Sequence, residues 1–207
     1  MTVTLESEPR SGGVRVRLDG RPYGTVSTHD VLELGLADGE DISRAALADL
    51  GRRSDIFAAR TVALRMLAMR SLPSRELMRR LLRKGHGKPA AESAIEGLLS
   101  AGLINDAEFA RHHARTRSRR SLGPNRLVSE LRRFGINERQ AEQAVADVYA
   151  REGVDPRDQM REAARKKAAT LRNLDPAAAK RRLRAFLLRR GYSGADVSAV
   201  VKEALAG

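Results

Sequence analysis

The chain has 207 residues, of which 39 are Lys or Arg and 26 are Asp or Glu, so its formal net charge is +13. It contains no Cys, which excludes disulfides and thiolate metal sites. No stretch is long and apolar enough to cross a membrane, and the amino terminus lacks the pattern of a signal peptide, so we expect a cytoplasmic protein.

The amino-terminal part has the alternation of β-strands. Residues 14–18 place apolar and polar side chains in turn, Asp19-Gly20 predicts a turn, and residues 23–27 supply a return strand. Because an Arg-Pro pair lengthens the connection, the turn need not be of the two-residue type. We therefore predict a β-hairpin near the amino terminus.

A short helix is predicted after this hairpin. Ser43 can cap a helix that runs through Leu50, and Gly51 is expected to end it. Residues 1–59 carry seven Lys and Arg against ten Asp and Glu, a net charge of −3. Since a lone hairpin is only marginally stable, we expect residues 1–53 to form a small acidic lobe that packs on a neighbouring part of the chain.

From residue 54 onward the apolar residues recur at helical spacing. Pro residues mark helix starts, Asp155 and Asp175 can cap the helices that follow them, and Asn137 with Gln140 is typical of a capping box. The predicted helices are residues 54–70, 74–84, 88–101, 105–120, 125–134, 138–151, 157–172, 177–190 and 194–206.

An internal repeat organises these helices. Three Gly residues lie 50 and 56 positions apart, and each has Leu eight and four positions before it and a β-branched aliphatic residue ten positions after it. The two Leu share a helix face, Gly ends that helix in a left-handed cap, and the aliphatic residue closes the core from the next helix. The repeated positions are Leu77, Leu81, Gly85 and Ile95; Leu127, Leu131, Gly135 and Val145; and Leu183, Leu187, Gly191 and Val201.

The repeat predicts a mainly α protein, an elongated array of three tandem three-helix repeats beside the small lobe that contains the β-hairpin. The composition agrees, because the apolar residues are chiefly Leu, Ala, Val and Met and only 3% of the chain is aromatic. The predicted domains are residues 1–53, 54–102, 103–152 and 153–207. We expect a monomer.

The positive charge belongs to the helical array. Residues 60–207 carry 32 Lys and Arg against 16 Asp and Glu, a net charge of +16, which favours nucleic acid as a partner. The third helix of each repeat is acidic, so helix-turn-helix reading of the major groove is disfavoured, whereas the middle helices are basic. A solvated helix face would explain any single Arg, but together the cations predict a face that contacts a polyanion or a filament. These residues are Arg79, Arg80, Arg83, Lys84, Arg117, Arg119, Arg120, Arg126, Arg132, Arg133, Arg181, Arg182, Arg189 and Arg190.

The sequence offers little for catalysis or metal binding. His112 and His113 are adjacent, so they point to different sides of a helix and cannot form a metal-binding pair one turn apart. Neither a Gly-x-Ser-x-Gly elbow nor a phosphate-binding Gly-x-x-x-x-Gly-Lys-Ser/Thr loop occurs. We therefore expect no enzyme activity, no metal and no cofactor.

Three stretches resemble a known family. Residues 102–110, Gly-Leu-Ile-Asn-Asp-Ala-Glu-Phe-Ala, are similar to the signature of the RecX regulatory proteins, which modulate the recombinase RecA. Residues 122–124, Leu-Gly-Pro, and residues 186–193, Phe-Leu-Leu-Arg-Arg-Gly-Tyr-Ser, resemble further motifs of that family. The resemblance covers most of the chain and is strongest over residues 60–205.

The resemblance implies a function that composition alone does not. Members of the family bind the filament that the recombinase forms on single-stranded DNA, and they inhibit or disassemble it, which lowers strand exchange and ATP turnover. The resemblance also implies weak direct binding to single-stranded DNA, and weaker binding to double-stranded DNA, through phosphates. The alternative is a general nucleic-acid-binding or architectural helical protein without a recombinase partner, although the shortage of aromatic residues for base stacking counts against it.

Overall fold

The computed structural model describes residues 1–9 and 12–206. Over these residues the fold is mainly α, with a small antiparallel sheet at the amino terminus. The strands are β1 (Val3–Glu8), β2 (Gly13–Leu18) and β3 (Arg21–Ser27). The helices are α1 (Thr28–Glu33), α2 (Arg44–Met69), α3 (Ser74–Arg83), α4 (Lys88–Ser100), α5 (Asp106–Ser118), α6 (Pro124–Phe134), α7 (Glu138–Glu152), α8 (Pro156–Ala169), α9 (Pro176–Arg189) and α10 (Gly194–Ala206). The chain divides into two compact units between Asn105 and Asp106.

The sheet of the first unit contains the predicted hairpin and one strand that the sequence analysis missed. The strand order is β1-β2-β3, and β1 pairs with β2 along its whole length. The hairpin turn has two residues, because Leu18 pairs with Arg21 and both intervening residues have positive φ. The Arg-Pro pair does not lengthen this turn. The pairing of β2 with β3 shifts register just after Pro22, which places a bulge in β3.

The predicted break at Gly51 is wrong, since α2 is a single helix of 26 residues that passes through it. Gly51 serves close packing: a Cβ at this position would lie 3.0 Å from the Tyr23 hydroxyl oxygen. At Gly24 of β3, a Cβ would lie 2.0 Å from the Ser54 Oγ, so strand and helix also approach closely there. The proposed boundary after residue 53 therefore falls inside a helix that packs on the sheet.

The repeat is confirmed as the organising pattern of the helical cores. The six repeated Leu residues have no accessible surface, and the three aliphatic residues are at most 6% exposed. Gly85, Gly135 and Gly191 all have positive φ, between 86° and 94°, as a left-handed helix end requires. Because burying a Leu side chain contributes about 1.5–3 kcal/mol, these positions account for much of the stability of each core.

The predicted helix caps also form. The Asn137 side chain accepts a hydrogen bond from the backbone N–H of Gln140 at 2.8 Å. Asp155 and Asp175 accept from backbone N–H groups two and three residues later, at 2.7 and 3.0 Å. Helices α6, α8 and α9 begin with Pro in the first turn, where the missing N–H is tolerated. Among the described residues, no helix has the length and apolar character needed to span a bilayer.

Candidate nucleic-acid and partner-binding surfaces

Two of the predicted cations hold a buried carboxylate in the second unit. Glu130 of α6 is only 9% exposed and accepts hydrogen bonds from Arg117 of α5 at 2.8 and 3.0 Å and from Arg126 at 3.2 Å. The Nε2 of His113 lies 3.2 Å from the same carboxylate. The hydrogen bond from Arg117 has the largest effect on the pKa of Glu130. It lowers this pKa to about 2, although burial of the carboxylate acts in the opposite direction. Arg117 and Arg126 therefore tie α5 to α6, which is a structural role.

Four further predicted cations are engaged in ion pairs, one of which joins Arg119 to Glu152 of α7 at 3.7 Å. Glu76 accepts from Arg79 at 2.6 Å and from Arg80 at 2.7 Å, both within α3. Burial opposes ionisation of Glu76, but the hydrogen bond from Arg80 and the surrounding arginines lower its pKa. Arg132 pairs with Glu138 at 3.0 Å, and both side chains are more than half exposed. These pairs partly neutralise the predicted face.

Other predicted cations extend into solvent. In the part of the chain that the structure describes, five of them are exposed and make no ion pair: Arg83, Lys84, Arg181, Arg182 and Arg189. Arg133 is also exposed. The five side chains without an ion pair keep their charge available to an anionic partner, as was expected for the whole set.

The loop between α5 and α6 is fastened to the turn between α9 and α10 within the second unit. The Gly123 N–H donates to the Arg190 carbonyl oxygen at 2.7 Å, and the Asn125 N–H donates to that of Gly191 at 3.2 Å. A Cβ at Gly191 would lie 2.3 Å from the backbone nitrogen of Arg126, so the two segments are in backbone contact. Only Gly permits this approach.

Two Tyr side chains also hold the loop between α5 and α6, Tyr149 from α7 and Tyr192 from the turn that precedes α10. The Tyr149 hydroxyl donates to the Leu122 carbonyl oxygen at 2.8 Å, and the Tyr192 hydroxyl donates to that of Ser121 at 3.1 Å. Both rings are buried, and this burial raises the pKa of each phenol to about 12. The sequence left open whether these rings belong to a core edge or to a contact surface; the structure places both at the edge of a core.

A basic cleft of about 410 Å³ lies beside this junction. Among its lining residues are Arg119, Arg120 and Arg190, which the sequence analysis selected, and Lys166 and Lys167 of α8, which it did not. The sequence pattern predicted a basic face on the middle helices, whereas α8, which carries the two Lys residues, is the first helix of the third repeat. The run Arg165-Lys166-Lys167 was the available signal.

No group of three His, Asp or Glu side chains within residues 1–9 and 12–206 is arranged to hold a metal ion.

The fold and its surface define a class of protein: a basic protein built from consecutive three-helix domains that end their middle helices in Gly. Sequence models of the first, second and third three-helix domains of RecX match residues 59–98, 105–145 and 155–201, in that order. The chain belongs to the RecX family.

Two relatives illustrate the similarity. Regulatory protein RecX of Amycolatopsis mediterranei (strain U-32) is 38% identical over 149 residues, which cover 71% of this chain and 83% of the relative. Regulatory protein RecX of Pelodictyon phaeoclathratiforme (strain DSM 5477 / BU-1) is 34% identical over 145 residues, which cover 70% of this chain and 87% of the relative.

Two crystal structures share the fold. One, of a regulatory protein RecX, superposes with a TM-score of 0.79 over 100% of this chain and 99% of the other, at 19% identity. The other, of RecX from Lactobacillus salivarius, has a TM-score of 0.62 over 72% of this chain and 96% of the other, at 22% identity. At these identities the agreement is one of fold.

Proposed function

We propose that this protein binds filaments of a RecA-type recombinase on single-stranded DNA and inhibits or disassembles them, without catalysing a reaction itself. The observation that carries the proposal is the presence of all three RecX domains in family order, each with its Gly-terminated middle helix. The relatives are named regulatory proteins, which supports a regulatory role.

The surface is compatible with an anionic partner. Exposed cations without ion pairs remain on α3 and α9 in the described part of the chain, and residues 60–207 have a net charge of +16. Such a surface attracts a polyanion over several ångströms and adds little sequence preference, because phosphates are alike at every base. Aromatic residues make up only 3% of the chain, which favours phosphate contacts over base stacking.

The test is an ATP-turnover assay with recombinase filaments formed beforehand on single-stranded DNA. We expect the purified full chain to reduce turnover when it is added at or below the molar amount of recombinase. Undiminished turnover at equimolar protein would contradict the proposal.

A second arm separates filament binding from simple capture of DNA. If the protein acts on the filament, inhibition should persist when free single-stranded DNA is added in excess over the regulator after filament assembly. If inhibition disappears in proportion to the added DNA, the protein acts as a general nucleic-acid binder, which was the alternative drawn from the sequence.

A further inference from the structure

The cleft beside the junction of the second and third three-helix domains concentrates positive charge from two domains. Arg119 and Arg120 reach it from the end of α5, Lys166 and Lys167 from α8, and Arg190 from the end of α9. These cations are up to 71 positions apart in sequence, so only the fold brings them to one place.

One carboxylate, Glu162, lines the cleft, and a second one, Glu152 of α7, pairs with Arg119 at 3.7 Å without lining it. Glu162 pairs with Lys166 at 2.6 Å, and both side chains are more than half exposed to solvent. The lining side chains therefore carry a net charge of +4 around a cleft of about 410 Å³, and the net charge is still +3 when Glu152, the partner of Arg119, is counted. Such a concentration of like charge is unfavourable by itself and becomes favourable when an anion enters.

Arg190 is held in place by contacts that shape the cleft. Its guanidinium donates to the carbonyl oxygens of Arg120 and Ser121 at 3.2 and 3.0 Å and lies 4.7 Å from the centre of the Phe186 ring. Ser121 has a φ of 52°, an uncommon conformation for a residue with a side chain, and its carbonyl oxygen also accepts from Tyr192. The loop that carries Arg119 and Arg120 is therefore fixed before any ligand binds.

The aromatic ring in the cleft is not a stacking platform. Arg190 covers Phe186 at 4.7 Å, and the Nζ of Lys167 lies 5.9 Å from the centre of the same ring. A base could stack on this ring only by displacing a cation from it. The groups open to a ligand are ammonium and guanidinium groups, which recognise phosphate and do not distinguish bases.

We propose that this cleft is the principal DNA-binding site of the protein and takes consecutive backbone phosphates of a nucleic-acid strand. Arg119, Arg120, Lys166 and Lys167 contact the phosphates, and Arg190 is a positioning residue that holds the loop. The strand would come from the recombinase filament, so in this respect the inference rests on the proposed function. It assigns DNA contact to a junction between domains in preference to the outer faces of the middle helices.

The test measures binding of the full chain to a fluorescent single-stranded oligonucleotide of ~20 nucleotides without recombinase, a length that exceeds one such site. The cleft variant combines Arg120→Gln, Lys166→Gln and Lys167→Gln. The matched control combines Arg139→Gln, Arg172→Gln and Lys202→Gln, which remove the same charge from exposed positions of the same unit that do not line the cleft.

We expect the cleft variant to bind at least about tenfold more weakly at 0.1 M salt and to lower the slope of log affinity against log salt by about 2, as expected for three lost contacts on single-stranded DNA. The control should bind within about twofold of the unchanged protein, because distant charges are screened. Both variants should keep the circular dichroism spectrum and melting temperature of the parent.

Equal weakening of the two variants would overturn the proposal in favour of diffuse charge attraction. Unchanged binding by the cleft variant would overturn it as well, and would leave the cleft open to an acidic protein surface. A third contrary result is displacement of the oligonucleotide by ATP at equal phosphate concentration, since this would indicate a site for a free nucleotide.

The two proposals fail separately. If the unchanged protein inhibits recombinase but the cleft variant binds DNA normally, the cleft assignment is wrong and the regulatory function stands. If the cleft variant loses DNA binding but the unchanged protein leaves recombinase turnover intact, the cleft stands and the regulatory function is wrong.

Discussion

Replacing Gly191 by Ala should destabilise the second unit more than the same replacement at Gly85 destabilises the first. Both residues end a middle helix at almost the same backbone conformation, with φ of 86° and 89°. A Cβ at Gly85 would have no heavy atom within 4 Å, whereas one at Gly191 would lie 2.3 Å from the backbone nitrogen of Arg126. The pair therefore separates conformational strain from steric contact.

The magnitude follows from these contacts. An Ala in the left-handed region costs about 1–2 kcal/mol, and this cost applies to both variants. At Gly191 the α6 backbone must also withdraw, which breaks the hydrogen bonds from the N–H groups of Gly123 and Asn125. Each backbone hydrogen bond contributes about 0.5–1.5 kcal/mol, so Gly191→Ala should cost about 1–3 kcal/mol more than Gly85→Ala.

The assay combines urea denaturation, followed by far-ultraviolet circular dichroism, with amide hydrogen exchange. Exchange should accelerate at Gly123 and Asn125 in the Gly191→Ala protein and stay unchanged there in the Gly85→Ala protein. Equal losses of unfolding free energy in the two variants, or retained protection of the two amides, would show that the loop and the turn are not held together as the structure indicates.

Three further results are expected. Leu131→Ala should lower the free energy of unfolding by about 2–5 kcal/mol as a core truncation, whereas Leu188→Ala, at a position 43% exposed, should cost less than about 1 kcal/mol in the same denaturant titration. Folding lowers the pKa of Glu130 from 4.5 to about 2, so the ionised carboxylate contributes about 3 kcal/mol to the free energy of unfolding above pH 4.5, and this contribution is lost as the pH falls from 4.5 towards 2. Glu130→Gln should reduce the dependence of stability on pH in this range, and an unchanged dependence would show that Glu130 is not the group responsible. Arg132→Glu combined with Arg133→Glu should leave the melting temperature nearly unchanged and weaken filament binding in a salt-dependent way. If the variant and the unchanged protein bind the filament with equal affinity across a salt titration, α6 does not belong to the partner-binding face.

The cores were predictable because their pattern is local. Leu127 and Leu131 are one helical turn apart, and the Gly that follows them ends their helix, so short-range periodicity alone selects the buried face. The same reasoning failed at Gly51, where a Gly within a helix reflects the approach of Tyr23 from a strand about 30 residues earlier. A Gly that ends a helix and a Gly that admits a neighbour look alike in sequence.

The candidate site was only partly predictable because a charged side chain does not reveal its partner. Arg117 and Arg119 lie two positions apart in the same basic run, yet Arg117 is bound to the buried Glu130, whereas Arg119 lines the cleft and pairs with Glu152 at 3.7 Å. Lys166 joins the cleft from a helix that the repeat pattern did not mark as basic. Some cations have a partner one helical turn away, as Arg80 has in Glu76, whereas Arg117 and Arg190 meet their partners only through the fold.

The sequence by itself determined the three Gly-terminated helical domains, their buried Leu positions, their caps and the excess of positive charge, because helix periodicity and capping act within a few residues. Only the tertiary structure decided which of those charges pair with partners on other helices and which converge on one cleft. The guanidinium of Arg190 meets the carbonyl oxygens of Arg120 and Ser121 across about 70 positions of chain, and such a contact exists only after the second and third domains have packed together.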